Sequence, residues 1–510
     1  MERDREPLSG NQRVLIANRG VIAWKAAQAI QQMGVNNSHR PHMLFTDAEF
    51  FNPHENIWML SFLRDCGFLG GLHQISNYLN IEEIIKMATK LQVDIVFPGY
   101  GFRAEDPNMA RACEDAGINW AGPPSEILEL FGDKIRARKL AHSLNIPVIT
   151  GTLDPIDPGN AMQEALKIIK ETKGDDSKIT PEDWRMYPIR IKSVMAGGGK
   201  GQAIAKSPEE LISKVELTAE ESGRACGDKR IYLERDLPHT RHLEVQIIGD
   251  GTKVIHMGAR NCSIQIPGRN QKLVEEAVWP GQPFLPQSEN EILQKIIGWA
   301  VKIGEAVNYK GVGTVEFLVD EVGNIYFLEV NPRIQVEHPV TEIIIRIKGQ
   351  ALNLIVEQLK IAAGAKLDYS QDDISFNGCA MEARIVSMDP EQLTSYPSTI
   401  ERYRPPWHVG NVVLHDGGLT EAFRSGRVKK YKLPPYDPMF AQMVAWGQNH
   451  INAAQSLSEG LKHYYVDGDV TTLNSLVMSV LRSPLYLMAG GSRIFTDFTA
   501  EHHDYSISIN

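Results

Sequence analysis

The chain has 510 residues, 43% hydrophobic and 23% charged, with 53 Lys and Arg against 63 Asp and Glu and a formal charge of −10. These values exclude a disordered or fibrous polymer and argue against a general nucleic-acid surface, while the length predicts two to four packed units. Cys66, Cys113, Cys226, Cys262 and Cys379 stand far apart with no C-x-x-C pair, which disfavours a disulfide framework or a zinc site and fits a reducing compartment.

In chain order, Met1 to Gly10 shows neither signal nor transit pattern, and no apolar run reaches the ~18 residues of a membrane span. The expected compartment is the cytoplasm, with a mitochondrial location also compatible. Arg13 to Ala17 reads as a buried strand, Asn18 to Gly20 as a turn and Ile22 to Met33 as a helix with apolar residues at helical spacing. Asp94 to Phe97 is a second strand closed by Pro98-Gly99-Tyr100-Gly101, and Pro107 to Ala116 a helix. Residues 1–125 are thus expected to form an open parallel sheet with helices. After a helix at Asp133 to Leu144, Ile146 to Ile149 reads as a new strand and Asp154 to Gly159 as a loop, inside a small unit spanning 126–236.

That unit carries a strand from Tyr187 to Lys192, then Met195-Ala-Gly197-Gly198-Gly199-Lys200-Gly201, then a strand-like run from Gln202 to Ala205. Glycines let backbone N–H groups turn toward an anion, and Lys192 and Lys200 add charge. It is not a Walker loop, since Gly201 stands where Ser or Thr is required and no helix follows, nor a dinucleotide fingerprint. A ligand-free hairpin tip is the plainer alternative, weakened by the position of Lys192 at a strand end.

Strands at His242 to Ile248 and Val254 to Met257 open the unit 237–375. Gly313 to Asn331 reads as a hairpin turning at Glu321 to Asn324, with Glu329 and Asn331 on one face, Tyr326, Leu328 and Val330 on the other, and Glu316 opposite on the partner strand. Two carboxylates and an amide on one face suit a hard cation such as magnesium; a solvated face is the competing reading. Period two, continued through Pro332 to Pro339 as an extended run, places Arg333, Gln335 and Glu337 beside Asn331 as an anion pocket with Glu337 as base.

From Val14 to about Thr496 the sequence resembles the biotin carboxylase family. The runs that carry the likeness include V-L-I-A-N-R-G from Val14, P-G-Y-G-F from Pro98, R-H-L-E-V-Q from Arg241 and Q-K-L-V-E-E-A from Gln271. Further runs are N-P-R-I-Q-V-E-H-P-V-T-E from Asn331, M-E-A-R-I from Met381 and Y-D-P-M from Tyr436. The resemblance implies an α/β, three-part ATP-grasp fold: an N-terminal open parallel sheet, a small glycine-loop lid and a larger C-terminal mixed-sheet unit, with 376–510 as a C-terminal domain.

By resemblance, Lys134, Lys192 and the loop Gly197 to Gly199 contact ATP phosphates. Glu234 and the Leu237 backbone read adenine, and His242 and Gln265 help hold the nucleotide. Glu316, Glu329 and Asn331 resemble ligands of Mg2+ or Mn2+. Lys272, Arg333, Gln335 and the Val336 backbone resemble a bicarbonate pocket, Glu337 the base and Arg384 the residue that stabilises the biotin enolate. The implied reaction has Glu337 deprotonate bicarbonate, which takes the γ-phosphoryl group to give carboxyphosphate. That species yields carbon dioxide and phosphate, phosphate removes the biotin N1′ proton, and the enolate attacks carbon dioxide.

Departures from the family pattern are Val21 for a usual Glu, the shortened glycine run, and Ile266-Pro-Gly-Arg-Asn270 with Asn270 at a usual histidine. The segment Ile343 to Gly364 is longer, and Tyr396 to Ile400 is altered. No M-K-M attachment sequence or carboxyltransferase region is present. The expected partners are a biotin carboxyl carrier protein or domain, a carboxyltransferase subunit or domain and a second copy in a homodimer, with no nucleic acid or membrane. Asn331-Pro-Arg and Ala121-Gly-Pro-Pro-Ser lean toward a eukaryotic-type acetyl-CoA carboxylase. Two other readings stay open: an ATP-grasp ligase that activates a different carboxylate, and a catalytically silent ATP-binding subunit.

Overall fold

Val14 to Ile16 and Ile95 to Phe97 are apolar at every position and completely buried, the pattern of strands covered on both faces. In the computed structural model, which describes residues 12–33, 40–46, 69–195, 201–266, 269, 271–283, 285–426, 428–433, 438–489 and 494–501, they are the central strands of a parallel sheet. Its members are β1 (Val14–Ile16), β2 (His42–Phe45), β3 (Gly71–Gln74), β4 (Ile95–Phe97) and β5 (Asn119–Trp120), in the order β3-β2-β1-β4-β5. Helix α1 (Gly20–Gln32) packs Ile22, Ala23, Ala26, Ala27 and Ile30 on it, the apolar stripe seen in the sequence. Asn18 ties the ends of β1 and β4 by donating to the carbonyls of Pro98 at 2.6 Å and Tyr100 at 2.7 Å.

Asp133 caps α2 (Lys134–Ser143), accepting from the N–H groups of Ile135 and Arg136. The expected strand at 146–149 is only a single bridge, Val148 to Phe327; Pro147 lacks an N–H, and no long ladder forms. The small unit is a sheet of β6 (Ile189–Ser193), β7 (Gln202–Ala205) and β8 (Ile231–Arg235), ordered β7-β6-β8, backed by α3 (Pro208–Cys226). Gly197, Gly198, Gly199, Lys200, Asn270, Tyr436 and Cys66 lie outside the described residues, as does the side chain of Cys226. Cys113, Cys262 and Cys379 are buried free thiols.

The largest sheet is wholly antiparallel. It runs β13-β12-β9-β10-β11-β17-β21-β19, built from β9 (Arg241–Asp250), β10 (Val254–Ile266), β11 (Gln271–Val278), β12 (Lys310–Val319), β13 (Ile325–Asn331), β17 (Cys379–Val386), β19 (Val412–His415) and β21 (Met439–Gly447). Period two sorts β9 cleanly. Leu243, Val245 and Ile247 enter a core with α4 (Gln287–Ala306), which leaves His242, Glu244 and Gln246 on the other face, also buried.

Alternation fails on β13. Glu316 pairs with Glu329 but Phe317 pairs with Phe327, so one extra residue sits on β13 between the two pairs. This bulge puts Phe327 and Val330 in the same core and leaves Leu328 out of it, which corrects the expected grouping of Tyr326, Leu328 and Val330.

Beyond Asn331 the chain is not an extended strand either. Val336 and Glu337 form a turn and α5 (His338–Ile344) follows, with Pro339 in the first turn, where a missing N–H costs nothing. The longer stretch after Glu342 is a hairpin of β14 (Ile345–Ile347) and β15 (Gln350–Ala351), whose two turn residues Lys348 and Gly349 both have positive φ, 48° and 79°. It pairs with β16 (Ile374–Phe376), and α6 (Leu354–Ala362) follows. A last sheet, β20-β18-β22, holds β18 (Thr399–Arg404), β20 (Tyr431–Lys432) and β22 (Tyr465–Asp469). No helix among the described residues is long and apolar enough to cross a membrane.

His450, the first residue of α7 (His450–His463), joins the C-terminal helices to the large sheet. Its Nδ1 lies 2.7 Å from Glu276 Oε1 and its Nε2 is 3.0 Å from the Tyr486 carbonyl, so each ring nitrogen faces an acceptor. Burial lowers this histidine, but Glu276 and the carbonyl outweigh it and its pKa stands above the ordinary value. A group raised on folding stabilises fully below its unfolded pKa of about 6.5 and loses that contribution as pH rises through the folded pKa. Compared by thermal unfolding, the wild type should exceed His450→Gln at about pH 6 and the gap should shrink on the alkaline side; a gap independent of pH counts against a charged His450.

Candidate active site

Strand register alone brings the charged residues abreast. Arg260 on β10 faces Glu244 on β9, Glu244 faces Glu316 on β12, and Glu316 faces Glu329 on β13, one row across four strands. Arg260, Glu244 and Glu316 are buried and Glu329 is partly exposed, and buried charges on adjacent strands persist only when each meets an opposite charge or donor.

Lys272, from β11, is the centre of that compensation. Its Nζ lies 2.5 Å from Glu244 Oε2, 3.2 Å from Glu316 Oε1 and 2.5 Å from Glu337 Oε1. Burial lowers this ammonium, but Glu244, Glu316 and Glu337 lift it well above the ordinary lysine value. Glu316 is held from every side. Asn331 Nδ2 donates at 2.9 Å and Gln335 Nε2 at 2.8 Å to Oε1, and His242 Nε2 lies 2.8 Å from Oε2. Gln265 Nε2 donates to His242 Nδ1 at 3.1 Å, which leaves the ring proton on Nε2 facing Glu316. Burial raises the Glu316 carboxyl, but Lys272 and His242 keep it well below the usual range.

Glu337 is 1% exposed and accepts from two cations, Lys272 and, at 3.1 Å from Oε2, Arg384 Nη2. Burial works to raise it, and Lys272, Arg384 and Arg260 together hold it well below the carboxylate range. Arg384, on β17, also donates from Nε to Glu275 Oε1 at 2.5 Å. Arg333 points toward the N-terminal sheet, donating to Glu105 at 2.5 Å, with Nη2 3.3 Å from Asn331 Oδ1. The Val336 carbonyl accepts from Gln442 Nε2 at 2.7 Å.

A second cluster lies on the small sheet. Glu234, 1% exposed, pairs with Lys192 at 2.6 Å and Arg138 at 2.9 Å. Burial lowers Lys192, Glu234 opposes that fall and Lys134 adds to it; burial raises Glu234, but Lys192 and Arg138 keep it below the usual range. Gly151 crosses this point because a Cβ there would meet the Leu233 carbonyl at 2.4 Å. Leu237 follows in a half-buried loop. Lys134 spans the two clusters, with Nζ 3.8 Å from Glu329.

The structure therefore gathers Lys272, Glu316, Asn331, Gln335, Glu337, Arg384, His242 and Gln265 into one hydrogen-bonded network, sets Glu329 beside it, and keeps Lys192 and Glu234 on the lid sheet. Glu316, Glu329 and Asn331 supply oxygen donors on opposed strands, a set that suits a hard dication. Two members went unseen in the sequence. Glu244 carried a readable signal, since polar residues at 242, 244 and 246 mark one strand face. Arg260 carried none. It is completely buried, donates to Glu244 at 2.5 Å, Gln246 at 2.7 Å, Thr341 at 3.0 Å, Thr314 at 3.1 Å and Gln335 at 2.8 Å, and orients the Gln335 amide so that its NH2 faces Glu316.

The family model "Biotin carboxylase, N-terminal domain" matches residues 10–128, and "Carbamoyl-phosphate synthase L chain, ATP binding domain" matches residues 133–370. The sequence is 34% identical over 468 residues to the 2-oxoglutarate carboxylase small subunit of Hydrogenobacter thermophilus, covering 91% of this chain and 89% of that one. It is 34% identical over 497 residues to biotin carboxylase 2 of Bacillus subtilis, covering 96% and 99%. Among solved structures, the biotin carboxylase domain dimer of the H. thermophilus 2-oxoglutarate carboxylase, in complex with MgADP, ADP and bicarbonate, superposes with a TM-score of 0.80 at 32% identity, covering 96% and 98%. The Campylobacter jejuni biotin carboxylase complex with β-γ-ATP gives 0.80 at 29%, covering 96% and 99%.

Removing Arg260 takes one of two cations from buried Glu244 and a donor from each of Gln246, Thr314, Thr341 and Gln335, so Arg260→Met should lower unfolding free energy by about 3–5 kcal/mol in denaturant titration. Arg260→Lys should recover little, because one ammonium cannot replace a planar fork with five bonds. A loss under ~1 kcal/mol contradicts this view of the network.

Proposed function

The chain belongs to the biotin carboxylase family, and on that premise we propose that its network of Lys272, Glu337 and Arg384 carries out the ATP- and bicarbonate-dependent carboxylation of biotin. The observation that supports these roles most directly is the placing of Glu337 between two cations, 2.5 Å from Lys272 and 3.1 Å from Arg384. One carboxylate thereby touches both the side expected to take bicarbonate and the side expected to take biotin.

The substrates are ATP, bicarbonate and biotin, with Mg2+ required. Glu316, Glu329 and Asn331 would hold the metal, which supplies charge neutralisation to the phosphates when bound. Lys134, Lys192 and the loop of Gly197 to Gly199 would hold phosphates, Glu234 and Leu237 the adenine, and His242 and Gln265 would help hold the nucleotide. Lys272, Arg333, Gln335 and the Val336 backbone would bind bicarbonate.

The ion pair with Lys272 makes Glu337 a weak base while it lasts. A bicarbonate anion drawn to the Lys272 ammonium competes for that charge and returns basicity to Glu337, which then takes the bicarbonate proton. Arg384 would stabilise the oxyanion that forms on the ureido carbonyl as biotin loses its N1′ proton. Closure of the small unit over this site would exclude water from a reactive carbonic–phosphoric anhydride.

A homodimer, a biotin carboxyl carrier and a carboxyltransferase complete the proposed system, and the division at 125/126, 236/237 and 375/376 is part of the same proposal. Phosphate release should depend on bicarbonate and rise with free biotin. Stimulation by an amine instead would point to another ATP-grasp ligase, and ATP binding without turnover to a silent subunit.

Glu337→Gln should retain ATP binding while bicarbonate-dependent turnover falls by roughly 10²-fold or more; unchanged turnover removes it as base. Arg384→Ala should spare bicarbonate-dependent ATP hydrolysis without biotin yet abolish biotin carboxylation. Equal loss of both activities marks Arg384 as a purely structural ion-pair residue.

A further inference from the structure

Behind Arg384, two carboxyl groups lie where two anions are hard to sustain. Glu275 on β11 and Glu382 on β17 are direct partners across antiparallel strands, and both are completely buried. Opposed side chains of such a pair start about 5 Å apart at Cβ, so the two carboxyls share one site. Each has one oxygen engaged: Glu275 Oε1 accepts from Arg384 Nε at 2.5 Å, and Glu382 Oε1 from Gln442 Nε2 at 2.7 Å. The second oxygens, Glu275 Oε2 and Glu382 Oε2, have no donor among the described residues, and neither has Gln442 Oε1. Two ionised carboxylates would thus leave two buried acceptors unsatisfied as well as two like charges opposed.

We propose that Glu275 and Glu382 hold a single shared proton, and that this pair is the positioning element that fixes Arg384 toward Glu337 and, through Gln442, the Val336 carbonyl. With the proton on Glu382 Oε2, that oxygen becomes the missing donor for Glu275 Oε2. Glu275 keeps one negative charge for Arg384, while Glu382 stays neutral and does not compete for the guanidinium. Gln442 ties Glu382 to the Val336 carbonyl at 2.7 Å, so the pair also braces the turn that carries Glu337.

The charges facing the pair agree with this assignment. Burial pushes Glu275 up to about 7, with Arg384 and Lys272 opposing and Glu337 adding to the rise. Burial also pushes Glu382 well above the carboxylate range, Glu275 and Glu337 adding while Arg384 and Gln442 oppose. When the proton leaves at alkaline pH, a second anion forms beside Arg384 and draws it from Glu337.

The inference rests on the proposed role of Arg384 toward biotin, so its test has two independent readings. The first is infrared: the wild-type protein at neutral pH should show the C=O stretch of a buried protonated carboxylic acid, and Glu382→Gln should lose it. The second is the KM for biotin against pH. In the wild type it should rise toward alkaline pH; in Glu382→Gln, neutral at every pH, it should stay flat. In Glu382→Leu, which offers no donor to Glu275, it should be raised about tenfold at neutral pH with the KM for ATP unmoved. No protonated-carboxyl band lost in Glu382→Gln overturns the shared proton, and a biotin KM with the same pH dependence in wild type and Glu382→Gln overturns the positioning role. If Glu382→Leu fails to fold, Glu382→Gln carries both readings. If the wild type turns over no ATP with bicarbonate and biotin, the functional reading fails while the infrared band still decides the proton.

Discussion

Charge buried in a β-sheet must be neutralised within a few ångströms, and the structure is organised around the ammonium of Lys272, which does this for Glu244, Glu316 and Glu337 at once. Each of those carboxylates has a further partner: Arg260 for Glu244, His242 for Glu316, Arg384 for Glu337. Lys272 is the partner common to all three, so its loss withdraws charge from every one of them at once, whereas loss of a peripheral partner leaves the Lys272 contact in place. Cations are outnumbered, since Lys272, Arg260 and Arg384 face Glu244, Glu275, Glu316, Glu337 and Glu382. An excess of buried carboxyls is a demand for protons or for a cation. A shared proton on Glu275 and Glu382 answers part of it, and a dication beside Glu316 and Glu329 would answer much of the rest.

The placing of these groups on one sheet bears on how precisely they are held. Lys272, Glu316, Glu337 and Arg384 come from, or directly beside, strands of a single antiparallel sheet that continues without a break from β13 to β19. Ladders of backbone hydrogen bonds fix their spacing, which is what stabilisation of developing charge requires. Lys192 and Glu234 stand on a different, three-stranded sheet with its own small core. A unit with a separate core is able to move as a body, and the cation at its strand end moves with it. The proposed function assigns chemistry to the large sheet and closure to the small one, and the separate sheets and cores are compatible with that division.

Much of this was legible in the sequence, and the failures have identifiable causes. Continuous apolar runs marked the parallel strands, period two marked the Glu316 and Glu329 hairpin, and the motif from Asn331 to Glu337 marked residues that gather beside Glu316 and Lys272. Arg333, Gln335 and Glu337 do gather near Asn331, yet through a turn into α5 and not along a strand. Prolines at 332 and 339 favour an extended chain in the sequence pattern, whereas Pro339 occupies the first turn of α5, where proline is compatible with a helix. The bulge beside Leu328 has no glycine or proline to announce it, so no local pattern exposes the reversal of faces. Arg260 is invisible for a deeper reason. Its importance lies in its register with Glu244 and Glu316 on neighbouring strands, and register between distant segments is not written in any one of them. The longer stretch after Glu342 folds as a hairpin turned at Lys348 and Gly349.

The low proton affinity of Glu337 looks at first like an obstacle to the role as base proposed for it, and in the proposed reaction its resolution constrains the order of events. A carboxylate with two cations at 2.5 and 3.1 Å gives up little by staying ionised and gains little by taking a proton. Its basicity rises only as those cations are engaged elsewhere. An anionic substrate at Lys272 and an oxyanion forming at Arg384 both do this, the first before phosphoryl transfer and the second after it. Each step of the reaction thus frees Glu337 from one partner in turn, and proton affinity appears at the carboxylate only when a substrate is present to supply the proton. A base arranged in this way stays ionised and unreactive in the empty site, and no separate gating residue is needed to keep it so.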